Sequence, residues 1–192
     1  AGLVKQILSF ARPKEAKQEP VDLRVLTKEA VQLLRAATPA QIELKTHLAT
    51  ALPLAMIDAG QVHQVLVNLV TNASQAIGSR PGTISITVDE QTLDETAATA
   101  QHLQPGRHVR IEVEDNGNGM DAATLAKACD PFFTTKAPGE GTGLGLSIVQ
   151  TVMKSHAGSL TLKSELGKGT VITLLFPVLR QAVAQPSQPA PI

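Results

Sequence analysis

The 192-residue chain has neither tryptophan nor tyrosine, and four phenylalanines supply its entire 2% aromatic content. Its core must therefore be aliphatic, and the aromatic platforms on which single-stranded nucleic acid stacks are nearly absent. A single cysteine, Cys129, excludes an internal disulfide and a multi-cysteine zinc site; such a thiol usually behaves as a small, partly buried apolar residue. Net charge is missing as well: 17 Lys+Arg offset 17 Asp+Glu, which argues against a broad electrostatic grip on nucleic acid or on an anionic membrane. No apolar run reaches the roughly 18 residues a membrane span needs, and no charged-then-apolar secretory leader opens the sequence. What is present is hydrophobicity, 43% against 18% charged residues, enough for a folded domain. At about 150 residues per domain there is room for one sizeable domain plus short extensions. The composition predicts a soluble, reduced, cytoplasmic domain with no nucleic-acid partner and no membrane contact.

Periodicity divides the chain further. Leu3 to Phe10 has helical spacing, stops at Arg12-Pro13, and reads as the end of a longer helix. Val21 to Leu34 and Asp58 to Ile77 read as amphipathic helices, and Leu146 to His156 as a third. Gln41 to Lys45, Thr83 to Val88, His108 to Glu114, Leu160 to Lys163 and Thr170 to Phe176 read as strands, and 90–106 as a polar loop. Pro and Gln after Pro177 mark a flexible tail. Interleaved helices and strands predict an α/β two-layer sandwich.

Three segments carry chemistry. In His108 to Asp115 the side chains alternate, so Asp115 continues the apolar series Val109, Ile111, Val113. A carboxylate on the core side needs a donor, such as an adenine amino group; alternatively the strand has ended and Asp115 only shapes the Asn116-Gly117 turn. In the helix over 61–77, Val62, Val65, Leu66, Leu69, Ala73, Ala76 and Ile77 form one stripe, with Asn68 and Asn72 at its edge beside Gln61 and Gln75. Their amide oxygens suit a Mg2+ ion held largely by phosphates and water; a solvated polar flank is the other reading. Finally, Gly139, Gly141, Gly143 and Gly145 alternate straight into a helix. Converging backbone N–H groups and a helix start form a phosphate cradle, with Lys136 just before it. No Walker pattern occurs. Gly117-Asn118-Gly119-Met120-Asp121-Ala122 fits the dinucleotide fingerprint G-x-G-x-x-A, but no second parallel strand ending in an acid follows it.

Together these segments resemble the ATP-binding domain of sensor histidine kinases. Asn68 to Ala73 is similar to their asparagine box and Asp115 to Met120 to their first glycine box. Pro131 to Lys136 is similar to their phenylalanine box, and Gly141 to Leu146 to their second glycine box. His156-Ala157-Gly158 and Gly167 to Thr170 are similar to the closing segments, and the match runs in order over about 21–178. The resemblance implies a Bergerat fold: an α+β two-layer sandwich with a mixed, mostly antiparallel sheet covered on one face by helices. It implies that Asp115, assisted by Thr170, takes the adenine amino group of ATP, with Gly117, Gly119 and Met120 beside them. It implies Mg2+ on Asn72, with Asn68 and Lys136 as catalytic residues at the terminal phosphates. It also implies phosphate-binding amides over Thr142, Gly143, Leu144, Gly145 and Leu146. Many family members carry Lys or Arg where this chain has Gln75 and Ala76, and the short lid between Phe133 and Gly141 is like that of nitrogen-regulation kinases.

The five histidines, His47, His63, His102, His108 and His156, lack the acceptor-box context, and each is assigned to structure or surface. The resemblance then implies transfer of the ATP γ-phosphoryl group to a histidine outside this chain, with ADP as product. Its partners would be the kinase's dimerisation helices and a downstream response regulator in two-component signalling. Residues 1–20 would be a stub of the dimerisation helix plus linker, 21–178 the catalytic domain and 179–192 a tail. A nucleotide-gated clamp or a non-transferring nucleotide-binding module is the alternative.

Overall fold

A computed structural model describes residues 17–136 and 141–179; the helix expected over 3–10 and most of the tail lie outside them. In chain order the elements are β1 (Glu19–Val21), α1 (Leu23–Ala37), β2 (Ile42–Leu48), β3 (Ala55–Ile57), α2 (Ala59–Ile77) and β4 (Gly82–Leu93). There follow α3 (Glu95–Ala100), β5 (Gly106–Asp115), α4 (Ala122–Lys127), α5 (Gly145–Ser155), β6 (Ser159–Glu165) and β7 (Gly169–Pro177). Five strands form one sheet in the order β2-β4-β5-β7-β6. Only β2 and β4 run parallel; the other neighbours are antiparallel. The α+β two-layer sandwich is therefore the observed fold. Because β5 lies between two antiparallel neighbours, the dinucleotide-fingerprint reading has no βαβ unit to sit in.

Local chemistry sets the helix boundaries. Asp22, Asp58, Asp94 and Asp121 each accept a backbone N–H from the first turn of α1, α2, α3 and α4, at 2.9, 3.0, 2.8 and 2.7 Å. α2 stops at Gly78, whose φ of 72° suits a residue without Cβ. α1 thus begins at Leu23, two residues later than expected, since Val21 pairs with Ala55 in a short two-stranded sheet that the sequence did not announce. α5 starts at Gly145 and ends before His156, and Ala157, with φ 50°, takes the left-handed position that follows the helix.

Alternation does the rest. Ile84, Ile86 and Val88 of β4, Val109, Ile111 and Val113 of β5, and Ile172, Leu174 and Phe176 of β7 all point toward α2 and α5. From the helices, Val62, Val65, Leu66, Leu69 and Val149 meet them, and α1 adds Leu23, Ala30 and Val31 to the same core. Burying each such side chain contributes about 1.5–3 kcal/mol relative to exposure. Phe176 is the one aromatic residue buried in this core among the described residues, while Phe132 is 70% exposed, so the core is otherwise aliphatic, close to what the composition required. The opposite sheet face is polar: Arg110 reaches Asp89 in a two-pronged pair at 2.8 and 2.6 Å. Here the loop expected over 90–106 is corrected. β4 continues to Leu93, Asp94 caps α3, and Ala98 covers Leu93 and Leu175, which alternation leaves on this face. Three apolar residues on this second sheet face outweigh a polar average composition.

Candidate active site

Where β5 ends, a cleft of about 550 Å³ opens between α2, the turn after β5, α4 and the segments 133–136 and 141–146. Asp115 and Thr170 lie on its floor, within a row across the sheet in which Ile84, Asp115, Thr170 and Ser164 are successive partners on β4, β5, β7 and β6. Asp115 is 8% exposed and faces the core side, as alternation predicted. The strand runs through Asp115 rather than ending before it, so the reading that Asp115 only shapes the turn is corrected, although its turn-shaping bond is present. Oδ1 accepts the Gly117 N–H at 2.7 Å, shaping the turn, and the carboxyl also lines the cleft. Burial pushes its pKa up, against the opposing pull of the Gly117 and Thr170 N–H groups.

The turn is clamped from several sides. Asn118 donates its N–H to Ala76 O at 3.0 Å, and its carbonyl accepts Gly167 N–H at 2.7 Å. Gly119 has φ 63°, and a Cβ there would lie 2.0 Å from Glu165 O, so only glycine fits. Met120 donates its N–H to Ser164 Oγ at 2.8 Å.

The α2 wall carries Asn68, Asn72, Gln75 and Ala76, all lining the cleft. Gln61 does not join them; it sits at the other end of the helix against Ser155. Asn68 lines the cleft, and its Nδ2 is buried with no hydrogen-bond partner among the described residues, an unmet donor. Asn72 faces the start of α5: a Cβ on Gly145 would be 3.2 Å from its amide nitrogen. Lys136 Nζ bonds Gln75 Oε1, so a cation from the opposite wall stands beside the Gln75-Ala76 position at which the resemblance leads one to expect Lys or Arg. Burial lowers the Lys136 pKa.

The start of α5 is the site's most telling feature. Unlike the four helices above, it has no side-chain cap, and Gly145 and Leu146 line the cleft with their N–H groups unclaimed by a cap. An eleven-residue helix that begins uncapped at a cleft wall leaves first-turn N–H groups there without a side-chain acceptor. The preceding loop is held by Phe132 N–H, which donates to Gly143 O at 2.9 Å; a Cβ on Gly143 would be 2.4 Å from Phe132 C.

The structure gathers Asn68, Asn72, Asp115, Gly119, Met120, Lys136, Thr142, Gly143, Gly145, Leu146 and Thr170 around the cleft. Two expected residues stand back from it. Gly117 packs on Ala76 behind Asp115, and Leu144, 3% exposed, is a core residue that leads into α5. No histidine lines the cleft. His156 is buried, with Nδ1 on Val152 O at 2.7 Å and Nε2 accepting the Asp58 N–H at 2.9 Å, a structural role. Cys129 is half-buried with its pKa pushed up by burial, hence a poor nucleophile. Sequence reasoning missed Ser164, Asn118 and Thr124; Ser164 lies 44 residues from the Met120 it holds, beyond the reach of any local pattern.

A half-open sandwich with an acid-floored, glycine-walled cleft at the ends of its strands defines a nucleotide-binding ATPase domain. Residues 57–180 match the family described as histidine kinase-, DNA gyrase B-, and HSP90-like ATPase, and the chain belongs to that family. It is 38% identical over 182 residues to sensor kinase CckA of Brucella abortus, covering 93% of this chain and 19% of that protein. It is 36% identical over 177 residues to sensor histidine kinase ZraS of Escherichia coli K12, covering 92% and 34%. Among solved structures, full-length ShkA in complex with AMPPNP superposes with a TM-score of 0.74 at 25% identity, over 95% of this chain and 36% of that one. The chain thus spans about a fifth to a third of the length of these relatives. No helix among the described residues is long and apolar enough to cross a membrane.

Proposed function

We propose that residues 21–178 are the catalytic domain of a sensor histidine kinase, which binds Mg2+-ATP and passes the γ-phosphoryl group to a histidine outside this chain. In this proposal residues 1–20 are the end of the dimerisation helices plus linker, 179–192 are a tail, and a response regulator accepts the phosphoryl group in turn. The observation that carries the reading is the uncapped α5 N-terminus opposite the unmet Asn68 amide, in a cleft floored by a buried carboxylate. These are complementary to a triphosphate at one end and a base with a donor at the other.

Each residue has a task in this scheme. Asp115 and Thr170 take the base, with Gly119 and Met120 forming the adjoining wall. The N–H groups of Gly145 and Leu146, with Thr142 and Gly143 before them, hold the phosphates. Asn72 offers the amide oxygen that would hold Mg2+, which when bound neutralises charge on the phosphates. Asn68 and Lys136 face the terminal phosphate from opposite walls, where a cation and an amide donor offset charge that spreads over the transferring group. The domain does little covalent work: positioning and electrostatics carry the step, while the acceptor imidazole attacks phosphorus and ADP leaves.

The test is incubation with γ-labelled ATP and a separately supplied histidine-bearing helical hairpin from the intact kinase. Acid-labile, base-stable label on the hairpin is the expected result. Free phosphate alone would point instead to a nucleotide-gated clamp, and neither product to a module that only binds nucleotide.

A further inference from the structure

We propose that Ser164 is a positioning residue that fixes the direction of the Thr170 hydroxyl proton, so that the base end of the cleft presents only acceptors and demands a donor from its ligand. This rests on the reading of Asp115 and Thr170 as the base end.

The argument is a count of protons. Ser164 Oγ has three neighbours: the Met120 N–H at 2.8 Å, Gly169 O at 2.9 Å and Thr170 Oγ1 at 2.9 Å. A serine hydroxyl has one proton and two lone pairs. The Met120 N–H can only donate, which uses one lone pair. Gly169 O can only accept, which uses the proton. All three contacts are hydrogen bonds at once only if Thr170 donates its own proton to the remaining lone pair. Ser164 is then saturated, and Thr170 has turned its proton away from the cleft it lines.

Thr170 is 7% exposed and sits directly across the strand pair from Asp115. Paired residues on adjacent strands share a sheet face, so the cleft floor offers a carboxylate beside a hydroxyl that shows only lone pairs. An amino group on the base satisfies that wall. A base edge carrying only ring-nitrogen acceptors meets lone pair against lone pair, and a site built for a donor rejects the analogue that lacks one. Ser164 touches neither group of the ligand in this scheme; it acts through Thr170.

The test compares the binding of ATP with that of purine riboside triphosphate, which lacks the amino group, by calorimetry on the 192-residue protein. Ser164→Ala frees the Thr170 proton to turn outward, so ATP binding weakens while the deaminated nucleotide gains. The ratio of the two affinities is expected to fall about fivefold, the size of one neutral hydrogen bond. Ser164→Thr keeps a hydroxyl and keeps the ratio. Thr170→Val lowers the ratio to a similar degree, and adding Ser164→Ala to it lowers the ratio no further. If Ser164→Ala weakens both nucleotides equally, Ser164 only braces the Met120 turn and the proposal fails. An effect of Ser164→Ala that persists undiminished in the Thr170→Val background overturns it as well. Asp115→Asn separates the two levels: unchanged ATP affinity in that variant removes the base-end reading itself, whatever Ser164 does.

Discussion

Asp115→Asn should move binding and stability in opposite directions. The carboxylate is 8% exposed and its pKa is raised by burial, so the folded protein bears a charge it would rather neutralise. Asparagine is nearly isosteric, and its carbonyl oxygen can still accept the Gly117 N–H that Oδ1 now takes at 2.7 Å. The turn therefore survives, and the desolvation cost of the charge disappears. The sign follows from linkage: a folded-state pKa above the unfolded value stabilises the fold below the unfolded pKa, and this is lost as pH rises through the folded one. Asp115→Asn should thus leave Tm unchanged well below the unfolded Asp pKa of about 3.9 and raise it at pH 8. Nucleotide affinity should drop, since a hydrogen bond to a charged acceptor contributes about 1.5–3 kcal/mol, a loss of about ten- to a hundredfold in Kd. In the unsubstituted protein, ATP affinity should also weaken as pH falls through the raised Asp115 pKa, because a base donor selects the ionised form. The variant should lack that slope. The chain has no Trp or Tyr, so calorimetry or a fluorescent ATP analogue serves for binding, and scanning calorimetry for Tm. An Asp115→Asn protein that binds ATP normally would refute the assignment, and one that melts lower at pH 8 would refute the account of its burial.

Other expectations concern the phosphate end and the turn. Asn72→Ala should weaken Mg2+-ATP binding more than metal-free ATP binding; equal losses in titrations with and without Mg2+ would remove the metal role. Lys136→Met should weaken ATP more than AMP, because only the former reaches the terminal-phosphate position, and identical losses by competition titration would place the lysine elsewhere. Gly119→Ala drives a Cβ to 2.0 Å from Glu165 O at φ 63°, an overpacking cost of about 1–3 kcal/mol. With a Tm shift of about 2–4 °C per kcal/mol in a domain of this size, melting should fall by several degrees; an unchanged Tm would show that the turn yields freely.

Much of the site was legible because its determinants are local. Alternation along β5 put Asp115 on the core side before any neighbour was known, and helical spacing put Asn68 and Asn72 on one face of α2. Alternating glycines announced a loop opening a helix, where α5 now begins uncapped. Other features were illegible for an equally physical reason. β1 and β3 are three residues each, too short for any period, and exist because each supplies the other's hydrogen bonds. α3 has a polar composition and is held by Ala98 meeting Leu93 and Leu175, the last from a distant strand.

The sequence by itself determined the order of the longer helices and strands, the mostly aliphatic core and the residue types gathered at the cleft, since periodicity, capping and turn chemistry act within a turn or two of chain. Only the tertiary structure decided which of those residues meet. It moved Gly117 and Leu144 behind the cleft wall, and it set the Lys136 amine against Gln75. It also laid Ser164, Thr170 and Asp115 side by side. Such meetings depend on strand register, which joins segments far apart in the chain through the simultaneous pairing of whole strands, and no local pattern of side chains encodes that sum.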